Sequence, residues 1–277
     1  MVGSTVRVKF GIEPLDLGLP EGVPRSSTIV LAGPGGTGKS VITTHIARNF
    51  MERGEHVVYL TLDDSPKAVL EMFDSFGWDH SKYVSNGKLL IIDGFSFRLK
   101  GLRRWGPVPG VVREVTIDDL SKVLYSINEV LDRFGIEGEG VLIVDSLNEL
   151  MFRFDLTQIL DFVRTLRAAV SKVRGVIVLI TLHTSTDSLR ELAAHLEYLV
   201  DGIIVTRIEP ELQGIGIPLK QLMVKKMRGA PTNPLWIPYV VSSNGIKGVD
   251  PSKLSALIKS KLKQALLATK EGEGGSE

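Results

Sequence analysis

The apolar run Thr28-Ile29-Val30-Leu31-Ala32 leads into Gly33-Pro34-Gly35-Gly36-Thr37-Gly38-Lys39-Ser40, and Val41-Ile42-Thr43-Thr44-His45-Ile46-Ala47 follows directly. The middle segment fits the pattern G-x-x-x-x-G-K-[ST]. Its flanks predict a strand before it and a helix after it, which is the context that a phosphate-binding loop requires. The glycines let successive backbone N–H groups point at a phosphate, in front of the positive end of the helix dipole. These residues therefore predict a nucleoside triphosphate site.

The predicted ligands are a purine nucleoside triphosphate and Mg²⁺, and the motif leaves the choice between adenine and guanine open. Lys39 is expected to reach the β- and γ-phosphates, and the Ser40 hydroxyl is expected to ligate Mg²⁺. The loop residues expected to contact the nucleotide are Gly33, Pro34, Gly35, Gly36, Thr37, Gly38, Lys39, Ser40 and Val41.

Composition limits the function classes that remain. The chain has 277 residues with 43% hydrophobic and 23% charged side chains, a balance typical of one large globular domain. Its 33 basic and 32 acidic residues leave a net charge of +1, so no global field favours nucleic acid or membrane. The absence of cysteine excludes disulfides, thiolate metal sites and cysteine nucleophiles. No apolar run is long enough to cross a bilayer, and we expect a soluble, cytoplasmic protein with no membrane partner.

Short β-branched runs alternate with helical patterns along the chain, which predicts an α/β fold with a mostly parallel central sheet flanked by helices. Near the C-terminal end the pattern changes to antiparallel hairpin strands. Further strands are predicted at 57–61, 89–93, 141–145, 176–181, 202–207 and within 219–241. The predicted organisation is one domain over 1–250, an amphipathic helix over 251–270 and a disordered tail over 271–277.

Carboxylates end two of the predicted strands. Asp145 closes the apolar run 141–144, where a metal-holding carboxylate of an NTPase is expected. Asp63 and Asp64 follow the strand 57–61, at the end that faces the ligand crevice of a parallel sheet. Asp63 is the favoured candidate to position or deprotonate an attacking water, with Asp64 as its partner. The alternative for this pair is a structural one, because negative charge there also complements the dipole of the helix that begins at Pro66.

Four segments in order resemble the KaiC branch of the RecA-type ATPases. They are Gly11 to Ser40, Leu62-Asp63-Asp64-Ser65-Pro66 with Ser75-Phe76-Gly77-Trp78-Asp79, Val144-Asp145-Ser146, and Val224-Lys225-Lys226-Met227-Arg228-Gly229. The resemblance covers roughly Phe10 to Lys247. It implies a RecA-like P-loop NTPase core and ring-shaped homo-oligomers with ATP between neighbouring subunits. The subunit number stays open, with a hexameric ring as one form.

The resemblance also implies a contribution from the adjacent subunit. In such proteins the lysine and arginine of the late K-x-R-G segment reach the neighbour's nucleotide, and here they are Lys226 and Arg228. An arginine supplied in this way stabilises charge on the transferring phosphoryl group. The alternative is a basic strand edge that discourages aggregation.

The chain departs from the family in its first acidic motif. The family usually has two glutamates where this chain has Asp63 and Asp64. Aspartate is one methylene shorter than glutamate, so each carboxylate lies about 1.5 Å further from the site. A displacement of that order costs roughly a hundredfold in rate. We therefore expect slow hydrolysis of ATP to ADP and phosphate. The clock protein of this family has two such domains and this chain has one, so circadian function does not carry over.

A nucleic-acid partner is open but not favoured. The predicted loops after Asp145 and Thr181 lack the length and basic charge of the DNA-binding loops of recombinases. The segment Arg98-Leu99-Lys100-Gly101-Leu102-Arg103-Arg104-Trp105 offers four cations beside an indole, although a solvated loop or a subunit contact is favoured there. Two alternatives to an ATPase remain: a non-hydrolysing nucleotide-dependent scaffold or regulator, and a DNA-repair accessory protein related to the recombinases.

Overall fold

A ten-stranded sheet lies at the centre of the computed structural model, which describes residues 6–99, 106–214, 216–250, 252–256 and 258–260. The strands are β1 Arg7–Val8, β2 Val23–Pro24, β3 Thr28–Gly33, β4 Val57–Thr61, β5 Leu89–Asp93, β6 Val111–Glu114, β7 Val141–Asp145, β8 Ile177–His183, β9 Gly202–Ile208, β10 Lys220–Met227, β11 Ile237–Ser242 and β12 Gly245–Gly248. The helices are α1 Glu13–Gly18, α2 Lys39–Glu52, α3 Pro66–Asp74, α4 His80–Ser85, α5 Leu120–Arg133, α6 Leu156–Leu166, α7 Asp187–Leu199 and α8 Pro210–Gly214. Two 3₁₀ helices cover Ser96–Leu99 and Leu147–Phe152, and a π-helix, Arg167–Val173, continues α6.

The order of strands in the sheet is β12-β11-β10-β9-β3-β8-β7-β4-β5-β6. The strands from β9 to β6 are mutually parallel, whereas β10, β11 and β12 are added antiparallel at one side. β1 and β2 form a separate two-stranded sheet. This arrangement confirms the predicted α/β class, including the antiparallel strands near the C-terminal end.

Both faces of the sheet are covered, and as a result every residue of β3, β4 and β5 is buried. One apolar cluster packs α2 and α3 against one face, and a second packs α5, α6 and α7 against the other. Buried strands of this kind carry continuous β-branched and aliphatic runs, which is why the sequence pattern found them. Each buried Val, Leu or Ile contributes about 1.5–3 kcal/mol relative to an exposed one.

The parallel register brings the predicted site residues to one edge of the sheet. The phosphate-binding loop follows β3, Asp63 and Asp64 follow β4, and Asp145 is the last residue of β7. β7 pairs with β4 so that Asp145 lies opposite Thr61. The carboxyl ends of parallel strands form the ligand crevice of such sheets.

Some boundaries differ from the predicted ones. Glycine and proline in the stretch 98–112 predict a loop, but β6 begins at Val111 and a 3₁₀ helix ends at Leu99. The basic residues Lys100, Arg103 and Arg104 and the indole of Trp105 lie outside the described residues, as does the tail 271–277. Of the predicted helix 251–270, residues 252–256 and 258–260 are described, and they are helical. In the part of the chain that the structure covers, no helix has the length and apolarity needed to span a membrane.

Candidate functional site

The loop after β3 forms an open concavity at the N-terminus of α2. Gly36 and Gly38 adopt positive φ angles of 76° and 89°, which residues with a Cβ atom rarely adopt. A Cβ atom placed on Gly35 or Gly36 meets nothing within 4 Å, so open space lies against the backbone there. A Cβ atom on Gly33 would lie 2.0 Å from Thr206 Oγ1, so only glycine fits where β3 meets β9. The concavity suits a polyanion held by backbone N–H groups, since the first turn of a helix leaves those groups without intrahelical partners.

The loop is held in place by side chains from β9 and β11. The Thr37 hydroxyl donates to Pro34 O at 3.0 Å and lies 2.8 Å from the Thr206 hydroxyl. The buried Tyr239 phenol donates to Thr37 O at 2.6 Å. These bonds fix the loop conformation before any ligand arrives, which lowers the ordering cost of binding.

Lys39 is buried at the centre of the site. Its ammonium group donates to Gly33 O at 2.8 Å and to Pro34 O at 2.9 Å, and it lies 3.2 Å from His183 Nδ1. Burial lowers the pKa of Lys39 to about 8, against the opposing effect of the negative charges on Asp145 and Asp63. The lysine therefore lies within the electrostatic reach of both carboxylates, as the predicted site requires.

Asp145 accepts a hydrogen bond on each carboxylate oxygen. The Tyr59 hydroxyl donates to Oδ2 and the Thr181 hydroxyl donates to Oδ1, both at 2.5 Å. The peptide bond from Asp145 to Ser146 is cis. An ionised carboxylate has about four lone-pair sites, so two remain to accept from a metal-bound water.

The structure separates the two predicted aspartates. Asp63 keeps exposed surface, but its carboxyl group lies in the crevice, where the Ser146 hydroxyl donates to Oδ2 at 3.0 Å. Partial burial and the negative charge of Asp145 raise the pKa of Asp63 above its usual value. Asp64 accepts instead from Ser65 N at 2.7 Å, next to the start of α3. Asp63 thus joins Lys39 and Asp145 in the site, whereas the Asp64 carboxylate accepts from the backbone N–H of Ser65.

Ser40 and Val41 occupy the first turn of α2. Ser40 is exposed, and its carbonyl oxygen accepts from the Thr43 hydroxyl at 2.9 Å and the Thr44 hydroxyl at 2.8 Å. Val41 is half-buried and packs against the apolar cluster beneath α2. The Ser40 hydroxyl is therefore accessible beside Lys39, while the Val41 side chain serves packing.

Asn148 contacts the site, although sequence reasoning did not identify it. Its Oδ1 atom accepts from His183 N at 2.9 Å and thereby joins the 3₁₀ helix after β7 to the end of β8. Burial and the nearby charge of Lys39 lower the pKa of His183. The signal in the sequence is a single amide side chain three residues after Asp145, between Leu147 and Glu149.

Lys226 and Arg228 lie away from the phosphate-binding loop of their own chain. Met227, which lies between them in the chain, pairs with Gly202 at the start of β9. The phosphate-binding loop lies further along β9, beyond the point where Ala32 pairs with Val205. The Lys226 ammonium donates to Glu197 O and, at 2.9 Å, to Val200 O, and the Arg228 guanidinium donates to Tyr198 O at 2.9 Å. Both cations thus meet the negative end of the α7 dipole, which favours positive charge.

The residues present fit both expected ligands. An open glycine loop and a buried ammonium suit the phosphates of a nucleotide, and an accessible hydroxyl on Ser40 with a carboxylate on Asp145 suits Mg²⁺. Mg²⁺ prefers oxygen ligands and is commonly held by one or two protein groups together with substrate phosphates.

Comparison with known proteins places the chain in a family. The family model "ATPase: KaiC" matches residues 8–253. UPF0273 proteins of Methanopyrus kandleri and Thermotoga maritima are each 27% identical, over 256 and 248 residues, with 90% and 87% of this chain and 93% and 94% of theirs covered. A KaiC-like protein from the hyperthermophilic archaeon Pyrococcus horikoshii has the same fold, with a TM-score of 0.69 at 22% identity, covering 89% of this chain and 100% of that one. Because the family model spans most of the sequence, this chain belongs to the KaiC family of ATPases, with its RecA-like core and a nucleotide-binding function.

Proposed function

We propose that the protein hydrolyses Mg·ATP to ADP and phosphate at the loop after β3. The observation that supports this most is the convergence of Lys39, Asp145 and Asp63 beside an open glycine loop. Binding alone needs the loop and the lysine. Hydrolysis also needs a group that orients water, and Asp63 is the carboxylate that faces the site.

Each residue has a stated part in this proposal. Backbone amides of residues 35–39 hold the phosphates, and Lys39 exchanges the carbonyl oxygens of Gly33 and Pro34 for phosphate oxygens. Ser40 and Asp145 would hold Mg²⁺. When bound, Mg²⁺ neutralises charge on the phosphates. Asp63 positions the attacking water, and its raised pKa makes it a better proton acceptor than an ordinary aspartate.

The first prediction separates the two aspartates. Asp63→Asn is expected to lower the rate of phosphate release by about 100-fold, because the amide cannot accept the proton of the attacking water. Asp64→Asn is expected to stay within about threefold of the wild-type rate, because Asp64 contacts the start of α3 instead of the site. Phosphate release at saturating Mg·ATP measures both. Equal losses in the two variants would contradict the assignment.

A non-hydrolysing nucleotide-dependent scaffold is the second candidate. The position of Asp64 favours the scaffold, because of the two aspartates only Asp63 lies in the crevice. The Asp63 side chain is also shorter than the glutamate that the family usually has there. Saturable ATP binding with no phosphate release at any Mg²⁺ concentration would support the scaffold over the enzyme.

The proposal includes no nucleic-acid partner. DNA-stimulated turnover that disappears on charge reversal at Arg103 and Arg104 would instead support a repair accessory protein.

We also propose that the nucleotide lies at the boundary between subunits of a homo-oligomer, with Lys226 and Arg228 serving the neighbour. Arg228 is exposed, and among the described residues its guanidinium donates to the carbonyl oxygen of Tyr198, which uses one of its five N–H donors. On binding, both cations would leave the carbonyl oxygens of α7 for phosphate oxygens. Light scattering with and without ATP tests the assembly itself.

A complementation experiment tests the exchange of residues between subunits. Lys39→Ala removes the loop lysine, and Arg228→Ala removes the proposed contribution to the neighbour, so each variant alone is expected to lose turnover. Mixed oligomers contain boundaries with an intact loop from one chain and an intact Arg228 from the other. Phosphate release is therefore expected to recover in the mixture to about a quarter of the wild-type rate, if the subunits mix randomly. A mixture as inactive as its components would contradict the contribution in trans.

A further inference from the structure

A tyrosine lies in the middle of the most buried part of the sheet. β4 reads Val57-Val58-Tyr59-Leu60-Thr61, and all five residues are buried. The Tyr59 side chain is 2% exposed and packs in the same apolar cluster as the residues of α2. Its hydroxyl nevertheless contacts a charged group, because it donates to Asp145 Oδ2 at 2.5 Å.

The register of the sheet explains how the phenol reaches this carboxylate. In the parallel pair of β4 and β7, Tyr59 lies opposite Ile143, and Asp145 lies two residues further towards the crevice. A phenol is long enough to extend along the strand over that distance, whereas no aliphatic side chain offers a donor there.

The other side of Asp145 is held in the same way. β8 is the second neighbour of β7 in the sheet, and Thr181 of β8 donates to Asp145 Oδ1 at 2.5 Å. Thr181 is 1% exposed. The carboxylate at the end of β7 is therefore fixed by one donor from each adjacent strand, and both donors belong to buried side chains.

We propose that Tyr59 and Thr181 are positioning residues that fix the Asp145 carboxylate for a Mg²⁺-bound water. The inference rests on the proposed function, since it concerns the metal of the same site. Two of the lone-pair sites on the carboxylate are occupied by protein donors, which leaves the remaining ones directed at the site. Partners of this kind are commonly worth 10–100-fold in metal affinity.

The alternative is that the phenol uses Asp145 merely as an acceptor for a buried hydroxyl group. Tyr83 provides the matched control for that alternative. It is 4% exposed, and its hydroxyl donates to the carboxylate of Glu52, near the C-terminal end of α2. The two tyrosines thus make the same chemical contact. Tyr59 makes it at the proposed site, beside the N-terminal end of α2, and Tyr83 makes it at the C-terminal end of α2.

The experiment measures ATP binding by calorimetry as a function of Mg²⁺ concentration. Tyr59→Phe is expected to raise the half-saturating Mg²⁺ concentration about tenfold, while ATP affinity in excess EDTA stays within about twofold of wild type. Tyr83→Phe is expected to leave both quantities unchanged. Thr181→Val is expected to act in the same direction as Tyr59→Phe, and Thr181→Ser, which keeps the hydroxyl, is expected to restore the wild-type value.

The outcomes distinguish this inference from the proposed function. A wild-type half-saturating Mg²⁺ concentration in Tyr59→Phe, or equal losses of ATP affinity with Mg²⁺ and with EDTA, would overturn the positioning role and leave the proposed function intact. Wild-type protein that binds ATP without any response to Mg²⁺ would overturn both, and it is detected without any variant. If Tyr59→Phe does not fold, the pair Thr181→Val and Thr181→Ser decides the question.

Discussion

Replacing Lys39 with alanine is expected to weaken ATP binding by about 100-fold or more, equivalent to about 2.7 kcal/mol. The ammonium group is buried and is already placed beside the loop by bonds to Gly33 O and Pro34 O. It also lies within electrostatic reach of two carboxylates, so its loss removes a positive charge from between the phosphates and Asp63 and Asp145. Truncating one partner of a desolvated charge pair typically costs 2–5 kcal/mol.

Titration calorimetry with Mg·ATP measures the effect, and Lys67→Ala is the control. Lys67 is exposed and forms an i,i+4 pair with Glu71 on α3, so its removal is expected to leave ATP affinity unchanged. Lys39→Arg keeps the charge but not the compact ammonium group, and an intermediate affinity is expected. An unchanged affinity in Lys39→Ala, with the fold intact by circular dichroism, would contradict the phosphate-binding role.

The second large effect concerns stability. Asp201→Asn is expected to lower the free energy of unfolding by about 3 kcal/mol. The Asp201 side chain is 4% exposed and accepts from Arg167 at 2.8 and 3.1 Å and from Thr28 N at 3.0 Å, with Lys172 Nζ 3.0 Å away. Removing the charge leaves two cations without their carboxylate at the start of β9. Removing one partner of a buried ion pair typically costs about 3–5 kcal/mol. Because both cations retain contact with solvent, we expect a loss at the low end of that range.

The π-helix explains how two cations reach one carboxylate. Arg167 and Lys172 are five residues apart within Arg167–Val173. In an α-helix such residues point about 140° apart, but the i→i+5 hydrogen bond of a π-helix brings them to the same side. The same carboxylate residue also supports the segment after β10, because Asp201 O accepts from Arg228 N at 2.8 Å. The network therefore fixes the position of the residue proposed to serve the neighbouring subunit.

Denaturant unfolding at pH 7 measures the loss, with Asp161→Asn as control. Asp161 forms an exposed i,i+3 pair with Arg164 and is expected to contribute less than about 1 kcal/mol. Burial alone would raise the pKa of Asp201, but the bonds from Arg167, Thr28 and Lys172 outweigh it and hold the pKa below its usual value. The stabilisation is therefore present above pH 3.8, the unperturbed pKa, and is lost as pH falls further. Equal effects of the two substitutions would contradict the assigned network.

The fold followed from the sequence because its strands are buried on both faces. Runs such as 57–61 and 141–145 are continuous and apolar, and the glycine loop after β3 has a pattern of its own. The edge strand β6 was not found, because Val111 to Glu114 is half exposed and only partly apolar. Periodicity detects burial, so it finds central strands more readily than edge strands.

The contacts within the site were less accessible to sequence reasoning. The bond from Tyr59 to Asp145 joins residues whose separation in the chain is 86, and it depends on the register between two strands. The sequence favoured Asp63 over Asp64 as the group that positions water, but it did not predict the local bond from Ser65 N that holds the Asp64 carboxylate. The bonds of Lys226 to the end of α7 likewise depend on tertiary contact. Position along a strand was predictable, whereas the partner of each side chain was not.

The loop at residues 33–40 is proposed to hold the phosphates of ATP. Titration of the wild-type protein with Mg·ATP by calorimetry tests it most directly. We expect saturable heat that corresponds to one nucleotide per chain, with an affinity that is weaker by about 100-fold or more in Lys39→Ala. No heat with any purine triphosphate, or the same heat in Lys39→Ala as in the wild type, would contradict it.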